Sequence, residues 1–422
     1  MKNMENITAV ILAAGLGTRM KTEIPKVLHP VGSGTILGKI ISNLKKAGIS
    51  DIIAVVGYKA DIVERAFKDE IRFIRQPELF GSGDALARAV DYSGEDEGSV
   101  LVVCGDTPLI TDATYRKLFR KRIAEKAACA LLTCRMPDPA SYGRIVRDSG
   151  GEVLKIVEDK DASGEEKNIT EINVGTYCFR GADLKRFIRD IKINEKKKEF
   201  YLTDIIDILR QNKKKIVSEN CGTREAIGIN SRKDLAVVNK VANLKNIERL
   251  MESGITIIDP DTTYIDETAV IGMDTIIFPG TVIESDVTIA DNCRVGPFAR
   301  LRPGTRLSRG AEIGNFAELC RTEVGEGTKI KHQTYLGDTT IGSNVNIGAG
   351  AITANYDGKN KYRTVIEDNA FIGVGAVLIA PVRIGKGATV GAGSVVTKNK
   401  NVPAGKTVVG IPAKMLNAKK RG

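Results

Sequence analysis

Every sixth residue from Ile265 to Leu319 is a branched aliphatic: Ile265, Ile271, Ile277, Ile283, Ile289, Val295, Leu301, Leu307, Ile313 and Leu319. The ladder slips by one through Val324, Ile330 and Leu336, slips again to Ile341 and Ile347, and resumes as Ile366, Ile372, Leu378, Ile384, Val390 and Val396. Ile, Leu and Val make up roughly a quarter of an ordinary chain, so ten in register arise by chance about once in a million. A period of six fits neither a helix nor a flat strand pair. It fits a solenoid in which each step is a short strand and a corner, three steps close a triangular coil, and the aliphatics stack down its axis. Small residues beside the ladder, such as Gly272, Gly296, Gly314, Gly385 and Gly391, suit tight corners.

The first half has a different pattern. Ile7–Ala13 is a short apolar run suited to a central parallel strand. Leu37, Ile40, Ile41 and Leu44 follow at helical spacing, with Gly48 as the stop. Ile52–Val56, Ile71–Ile74 and Val100–Val103 predict further strands, with a helix near Ala85–Val90. This alternation predicts an α/β sheet flanked by helices. Ser231-x-x-Asp234 predicts a capping box, and Val238, Val241, Leu244, Ile247 and Met251 continue at helical spacing to Gly254. The expected organisation is a domain over 1–232, a linker helix over 233–254 and the coil over 255–422.

Composition narrows the class. The 422 residues are 42% hydrophobic and 27% charged, with a formal charge of +11. The basic residues are spread out apart from the tail Lys414 to Arg421, and no basic patch interleaved with aromatics occurs. Nucleic acid is therefore not the expected partner; anionic small molecules such as phosphates and coenzymes account for the sign. Seven scattered cysteines without a CxxC pair read as reduced thiols in a cytoplasmic protein. The apolar run Ala9–Ala14 is too short for a signal peptide, and no stretch reaches membrane-spanning length.

Ligands of open α/β sheets bind beyond the carboxyl ends of the strands. There lie Leu12-Ala13-Ala14-Gly15-Leu16-Gly17-Thr18-Arg19-Met20 and Pro25-Lys26-Val27-Leu28-His29-Pro30. Small residues let backbone N–H groups approach a base and phosphates, and Arg19 and Lys26 add positive charge. The turn is neither GxGxxG nor a Walker A. The whole arrangement resembles the signature of sugar-1-phosphate nucleotidylyltransferases, in the N-acetylglucosamine-1-phosphate uridylyltransferase branch. That resemblance implies a Rossmann-like domain that takes UTP, with Leu12, Ala13, Ala14, Gly15, Lys26, Gln76, Gly81, Ser82, Cys104 and Gly105 around the nucleotide. It implies that Tyr142, Gly143, Glu158 and Asn173 hold the sugar, and that Asp106 and Asn230 bind Mg2+. Arg19 and Lys26 would stabilise charge as the sugar phosphate attacks the α-phosphorus and pyrophosphate leaves. His29, beside a proline, reads as structural. Leu16, Asp84 and Cys104 depart from the family's usual Lys, His and Tyr.

Two motifs interrupt the ladder: Lys331-His332-Gln333-Thr334-Tyr335-Leu336-Gly337-Asp338, and Thr353–Lys361, which carries no ladder residue and is expected to project. An amine acetylation needs a base for the ammonium proton, and His332 has the right pKa range. With Gly296–Gly304, these motifs resemble the left-handed β-helix of hexapeptide-repeat acyltransferases, specifically the acetyltransferase half of the same bifunctional family. The resemblance implies His332 as general base and Arg302, Tyr335, Asn346 and Lys361 on glucosamine-1-phosphate. It implies Ala349, Asn355, Tyr356, Val374, Ala392 and Gly410 along acetyl-CoA, and a homotrimer through the β-helix. Cys320, Val374 and Gly410 stand where the family has Lys, Ser and Arg.

The leading expectation is a bifunctional enzyme that acetylates glucosamine-1-phosphate and then makes UDP-N-acetylglucosamine. The competing one is a single-activity nucleotidylyltransferase whose β-helix only trimerises the chain; His332 and the loop before Lys361 favour the first, Cys320 the second. A purely regulatory binding module is disfavoured by the set Arg19, Lys26, Asp106 and Asn230.

Overall fold

The computed structural model describes residues 7–92, 98–195 and 197–416, so the end of the basic tail lies outside the described residues. The chain divides into two compact units, Met1–Asn239 and Lys240–Gly422.

In the first unit, strands lie in the order Ile216–Asn220, Cys129–Arg135, Glu171–Arg180, Ser99–Cys104, Ile7–Ala13, Asp51–Val56, Arg72–Arg75. All neighbours are parallel except those of Glu171–Arg180. Ile7–Ala13 pairs with Asp51–Val56, the next strand of this sheet in sequence, on one side and with Ser99–Cys104 on the other. The chain order reverses there, which opens a crevice at the carboxyl ends of Ile7–Ala13 and Ser99–Cys104. The helix Ile36–Lys46 forms because its apolar residues share one face, Ile36, Leu37, Ile40, Ile41 and Leu44, and all five are buried. Thr35 caps it by accepting from Gly38 N.

The helix Arg232–Glu252 opens with the expected reciprocal cap: Asp234 Oδ2 accepts from Ser231 N at 2.8 Å, and Ser231 Oγ accepts from Asp234 N at 3.3 Å. Leu250 rather than Met251 is the buried residue of the last turn.

The second unit is a left-handed parallel β-helix. One face stacks Tyr264, Val282, Arg300, Glu318, Tyr335, Ile352, Val377 and Val395 in register. The step is eighteen residues down to Glu318 and seventeen to Tyr335 and Ile352, which is the physical origin of the slips in the ladder. Every ladder residue lies in one continuous core, with Ile271 partly buried at its edge. Two residues before each ladder position runs a second buried column of small residues, among them Thr275, Thr281, Thr305, Thr322, Thr328 and Ala351. Its threonines cap carbonyls of the adjoining coil, as in Thr322 Oγ1 to Leu336 O at 2.9 Å and Thr328 Oγ1 to Gly342 O at 2.7 Å.

One expectation is corrected here. Thr353 does not project; it occupies the ladder slot over Leu378 and is 1% exposed. Its hydroxyl accepts from Gly337 N at 2.8 Å, so a polar side chain is tolerated in the core. The excursion is residues 355–361, closed by the antiparallel bridge between Tyr356 and Lys361.

Candidate active sites

The crevice of the first unit holds a cavity of about 480 Å³. Leu12, Ala13, Ala14, Gly15, Lys26, Gln76, Gly81, Ser82, Cys104, Gly105 and Asp106 line it. The backbones pack closely: a Cβ on Gly105 would stand 2.7 Å from Leu12 O. Gly81 has φ +97°, and its Cβ would meet Phe200 O at 2.7 Å. Ser82 Oγ accepts from Leu202 N, fixing the strand end beyond Phe200 against the helix Ser82–Val90.

Four charged and polar groups gather at one end. Lys26 Nζ lies 2.7 Å from Asp106 Oδ2, and Arg19 Nη2 donates to Asn230 Oδ1 at 2.8 Å. The loop carrying Asn230 is tied in by Ile229 N to Asp106 O and by Gly228 N to Tyr142 Oη at 2.7 Å. Asn173 sits over Gly143, with its backbone N–H on Gly143 O and its amide donating to Tyr177 Oη. Burial raises the Glu158 carboxyl above its ordinary range, against the hydrogen bond from Thr203. Burial, with Asp106 nearby, pushes the Cys104 thiol up to about 12, so it is a neutral spacer at neutral pH. His29 is buried beside Arg232 and is lowered by burial first, then by that guanidinium, as befits a structural residue. Leu79, Ala85 and Glu199 also line the cavity and were not singled out from the sequence. Leu79 and Ala85 flank the Gly81–Gly83 turn, and Glu199 immediately precedes the run Phe200-Tyr201-Leu202-Thr203-Asp204, which the resemblance places in the same set.

In the second unit, His332 is exposed on the strand Lys329–Gly337, opposite Asn315. His332 Nδ1 lies 3.2 Å from Asn315 Oδ1, and a neutral ring that donates there keeps its lone pair on Nε2. Beside it is a cavity of about 240 Å³ lined by Phe278, Arg294, Glu312, Asn315 and Lys331. Ala349, Val374 and Ala392 occupy the corner below, one per coil. Gly350 N donates to Gln333 O, Gly375 N to Ala349 O and Gly393 N to Val374 O, so a column descends from the His332 corner. Gly410, in the left-handed region at φ +93°, donates its N–H to Ser394 Oγ near the column's end.

A second cluster surrounds Cys320. Arg302 pairs with Glu318 at 2.9 Å, and its Nε is buried without a partner. Arg321 holds Asp338 through Nε at 2.6 Å and Nη2 at 2.9 Å, and its Nη1 reaches Cys320 Sγ at 2.9 Å. Asp338 also accepts from Asn355; these partners, Arg321 foremost, hold its carboxyl below the usual range, with Lys361 adding to the effect. A Cβ on Gly337 would stand 2.6 Å from Tyr335 Oη and 2.7 Å from Asn355 Nδ2, which places those side chains together. Asn346 lies on a different face of the coil, and Tyr356 is exposed on the excursion with its hydroxyl on Gly358 O. Strand alternation would send Arg321 away from Cys320. The strand ends at Cys320, however, and Arg321 has φ +50°, so the corner returns its side chain to the same side.

Residues 9–163 match the MobA-like NTP transferase domain family. Residues 268–303 and 363–398 match the bacterial transferase hexapeptide (six repeats) family. A "Bifunctional protein GlmU" of Carboxydothermus hydrogenoformans is 42% identical over 424 residues, covering 92% of this chain and 95% of that protein. This chain belongs to the bifunctional GlmU family. GlmU proteins of Geobacillus sp. (strain WCH70) and Shouchella clausii are 43% and 40% identical, each covering 92% of this chain. Like them it is a bifunctional transferase, with its nucleotidyltransferase on the Rossmann-like unit and its hexapeptide acyltransferase on the β-helix. The stretch between the two hexapeptide matches contains His332, Tyr335 and Asn355. There the coil steps by seventeen and then admits the excursion, so the six-residue pattern fails where the side chains with reactive groups are concentrated. Among the described residues, no helix is long and apolar enough to cross a membrane.

Proposed function

We propose that the chain makes UDP-N-acetylglucosamine in two steps. On the β-helix, the amine of glucosamine-1-phosphate attacks the thioester carbonyl of acetyl-CoA. His332 Nε2 takes the amine's proton, the C–S bond breaks and the CoA thiolate leaves. The observation that carries this reading is the orientation of His332: Asn315 faces Nδ1, and the corner column Ala349–Val374–Ala392 follows from Gln333, the next residue. Arg302, Tyr335 and Lys361 bind the sugar phosphate, with Asn346 contributing to the sugar site. Asn355, Tyr356 and the column follow the coenzyme.

On the first unit, the phosphate oxygen of N-acetylglucosamine-1-phosphate attacks the α-phosphorus of UTP in line and pyrophosphate leaves. Gln76 and Gly81 face the base, while Gly143, Glu158 and Asn173 hold the sugar. Asp106 and Asn230 suit Mg2+: they are hard oxygen donors few enough to leave room for phosphates and water, and each already faces a cation. When bound, the ion neutralises charge developing on the phosphates. Lys26 and Arg19, which face these oxygens, would bind the phosphates and stabilise the same charge. The reading includes a homotrimer through the β-helix, supported by the stacked pair Phe298 and Phe316, 55% and 60% exposed on the coil surface. It also includes a cytoplasmic location, supported by seven free cysteines.

Two assays on one preparation test the proposal: CoA thiol release with glucosamine-1-phosphate, and pyrophosphate release with UTP and N-acetylglucosamine-1-phosphate. Asp106→Ala is expected to abolish the second and leave the first. Loss of both activities in a folded variant contradicts the partition, and absence of thiol release from the wild type reduces the coil to a scaffold.

A further inference from the structure

Gln76 is 2% exposed yet lines the nucleotide cavity. Its amide nitrogen donates to Gly81 O at 3.0 Å and to Asp84 Oδ2 at 2.7 Å. A backbone carbonyl and a carboxylate paired with a guanidinium only accept, so both N–H groups are committed. Side-chain amides can usually be turned over without changing shape. Here a turned amide would set its oxygen against two acceptors, so the chemistry admits one orientation. Asp84 is held in turn: Arg88, one helical turn on, donates Nε to the same Oδ2 at 2.8 Å. The remaining atom, Gln76 Oε1, takes no donor among the described residues and is not sealed from solvent, so it faces the open cavity.

We propose that Asp84 and Arg88 are positioning residues that set base selectivity by fixing the Gln76 amide with its oxygen toward the base. The proposal rests on the reading that the nucleobase sits at Gln76. An acceptor presented there is complementary to a base whose pairing edge carries a ring N–H, as N3–H of uracil or thymine does. It meets a lone pair on N3 of cytosine. Asp84 thus selects the base without touching it. The selectivity resides in a helix residue that accepts two donors, Gln76 on one side and Arg88 on the other.

The test is the ratio of kcat/KM for UTP to that for CTP, measured by pyrophosphate release from the full chain. Asp84→Ala leaves Gly81 O as the one acceptor holding the amide and is expected to lower the ratio up to roughly 10- to 100-fold, the scale of one misdirected hydrogen bond to a group that can otherwise pair. Asp84→Asn, whose amide oxygen can take the place of Oδ2 toward both donors, is expected to keep most of the ratio, and Arg88→Ala to lower it to a lesser extent than Asp84→Ala. Gln76→Ala serves as the control and is expected to remove most of the discrimination. If Gln76→Ala lowers the ratio while Asp84→Ala, folded as judged by its melting curve, retains it, the positioning role is overturned and the base site stands. An equal fall in both rate constants at unchanged ratio has the same meaning: Asp84 is only structural. If Gln76→Ala leaves the ratio intact, the base is not read there, and the assignment of that side of the cavity fails together with the proposal.

Discussion

At the residue scale, the two clusters of the β-helix separate turnover from binding. In the proposed mechanism His332 carries the proton transfer, so His332→Ala is expected to lower kcat for acetyl transfer by roughly 10²–10⁴, the usual worth of a general base, with pyrophosphate release unchanged. Full thiol release by this variant would remove His332 from the mechanism. Arg321 has a different role. Its guanidinium stands against Cys320 and Asp338, beside the unpartnered Arg302 Nε, and so supplies a cation at a position where the neighbouring side chain is neutral. Arg321→Met is expected to raise KM for glucosamine-1-phosphate about 10- to 100-fold, from the loss of a charge-assisted hydrogen bond, and to leave KM for acetyl-CoA nearly unchanged. An unaltered KM would show that Arg321 only braces Asp338. The charge of Arg321 is legible in the sequence; its direction is not. Alternation holds within a strand, and residue 321 lies just past a strand end in the left-handed region.

At the element scale, the coil tolerates exceptions to its own pattern where hydrogen bonds compensate. Thr353 replaces an aliphatic in the core because Gly337 N needs its hydroxyl. Thr353→Val restores the apolar pattern yet strands that buried N–H, and is expected to destabilise the coil by about 1–3 kcal/mol. Thr353→Ser keeps the acceptor and is the reference; equal melting of the two variants would refute the argument. A closer reading of the sequence could have placed Thr353, since Ala351 stands two positions before it, as a small residue stands before the other ladder positions. The mirror case is Gly314. A Cβ there would lie 1.9 Å from Lys331 O, so Gly314→Ala is expected to force apart the two coils that pair Asn315 with His332 and to abolish acetyl transfer while pyrophosphate release persists. Normal thiol release would mean that the coils can separate without disturbing the base.

At the scale of the whole molecule, the helix Arg232–Glu252 contributes to each unit separately. Leu235 and Val238 are buried and Asn239 accepts from Gly32 N in the first unit, whereas Asn243 and Asn246 donate to Thr263 O and Ile265 O in the second. Fragment 1–232 lacks the first set and is expected to melt at least about 5 °C below fragment 1–239. Fragment 240–422 is expected to be trimeric by light scattering and to melt above 255–422. A folded, monomeric 240–422 would contradict the trimer.

The sequence by itself determined the two architectures and the place of the first site. A repeat declares itself through local spacing, and a strand-turn carrying small residues and cations marks the mouth of a parallel sheet without reference to anything distant. Only the tertiary structure decided which way Gln76 presents its amide, that Arg321 returns to Cys320, and that the His332 ring is held at Nδ1 by Asn315. Each depends on partners brought together by a turn, a corner or the neighbouring coil. Hydrogen-bond direction is set by those partners, and no periodicity along the chain encodes it.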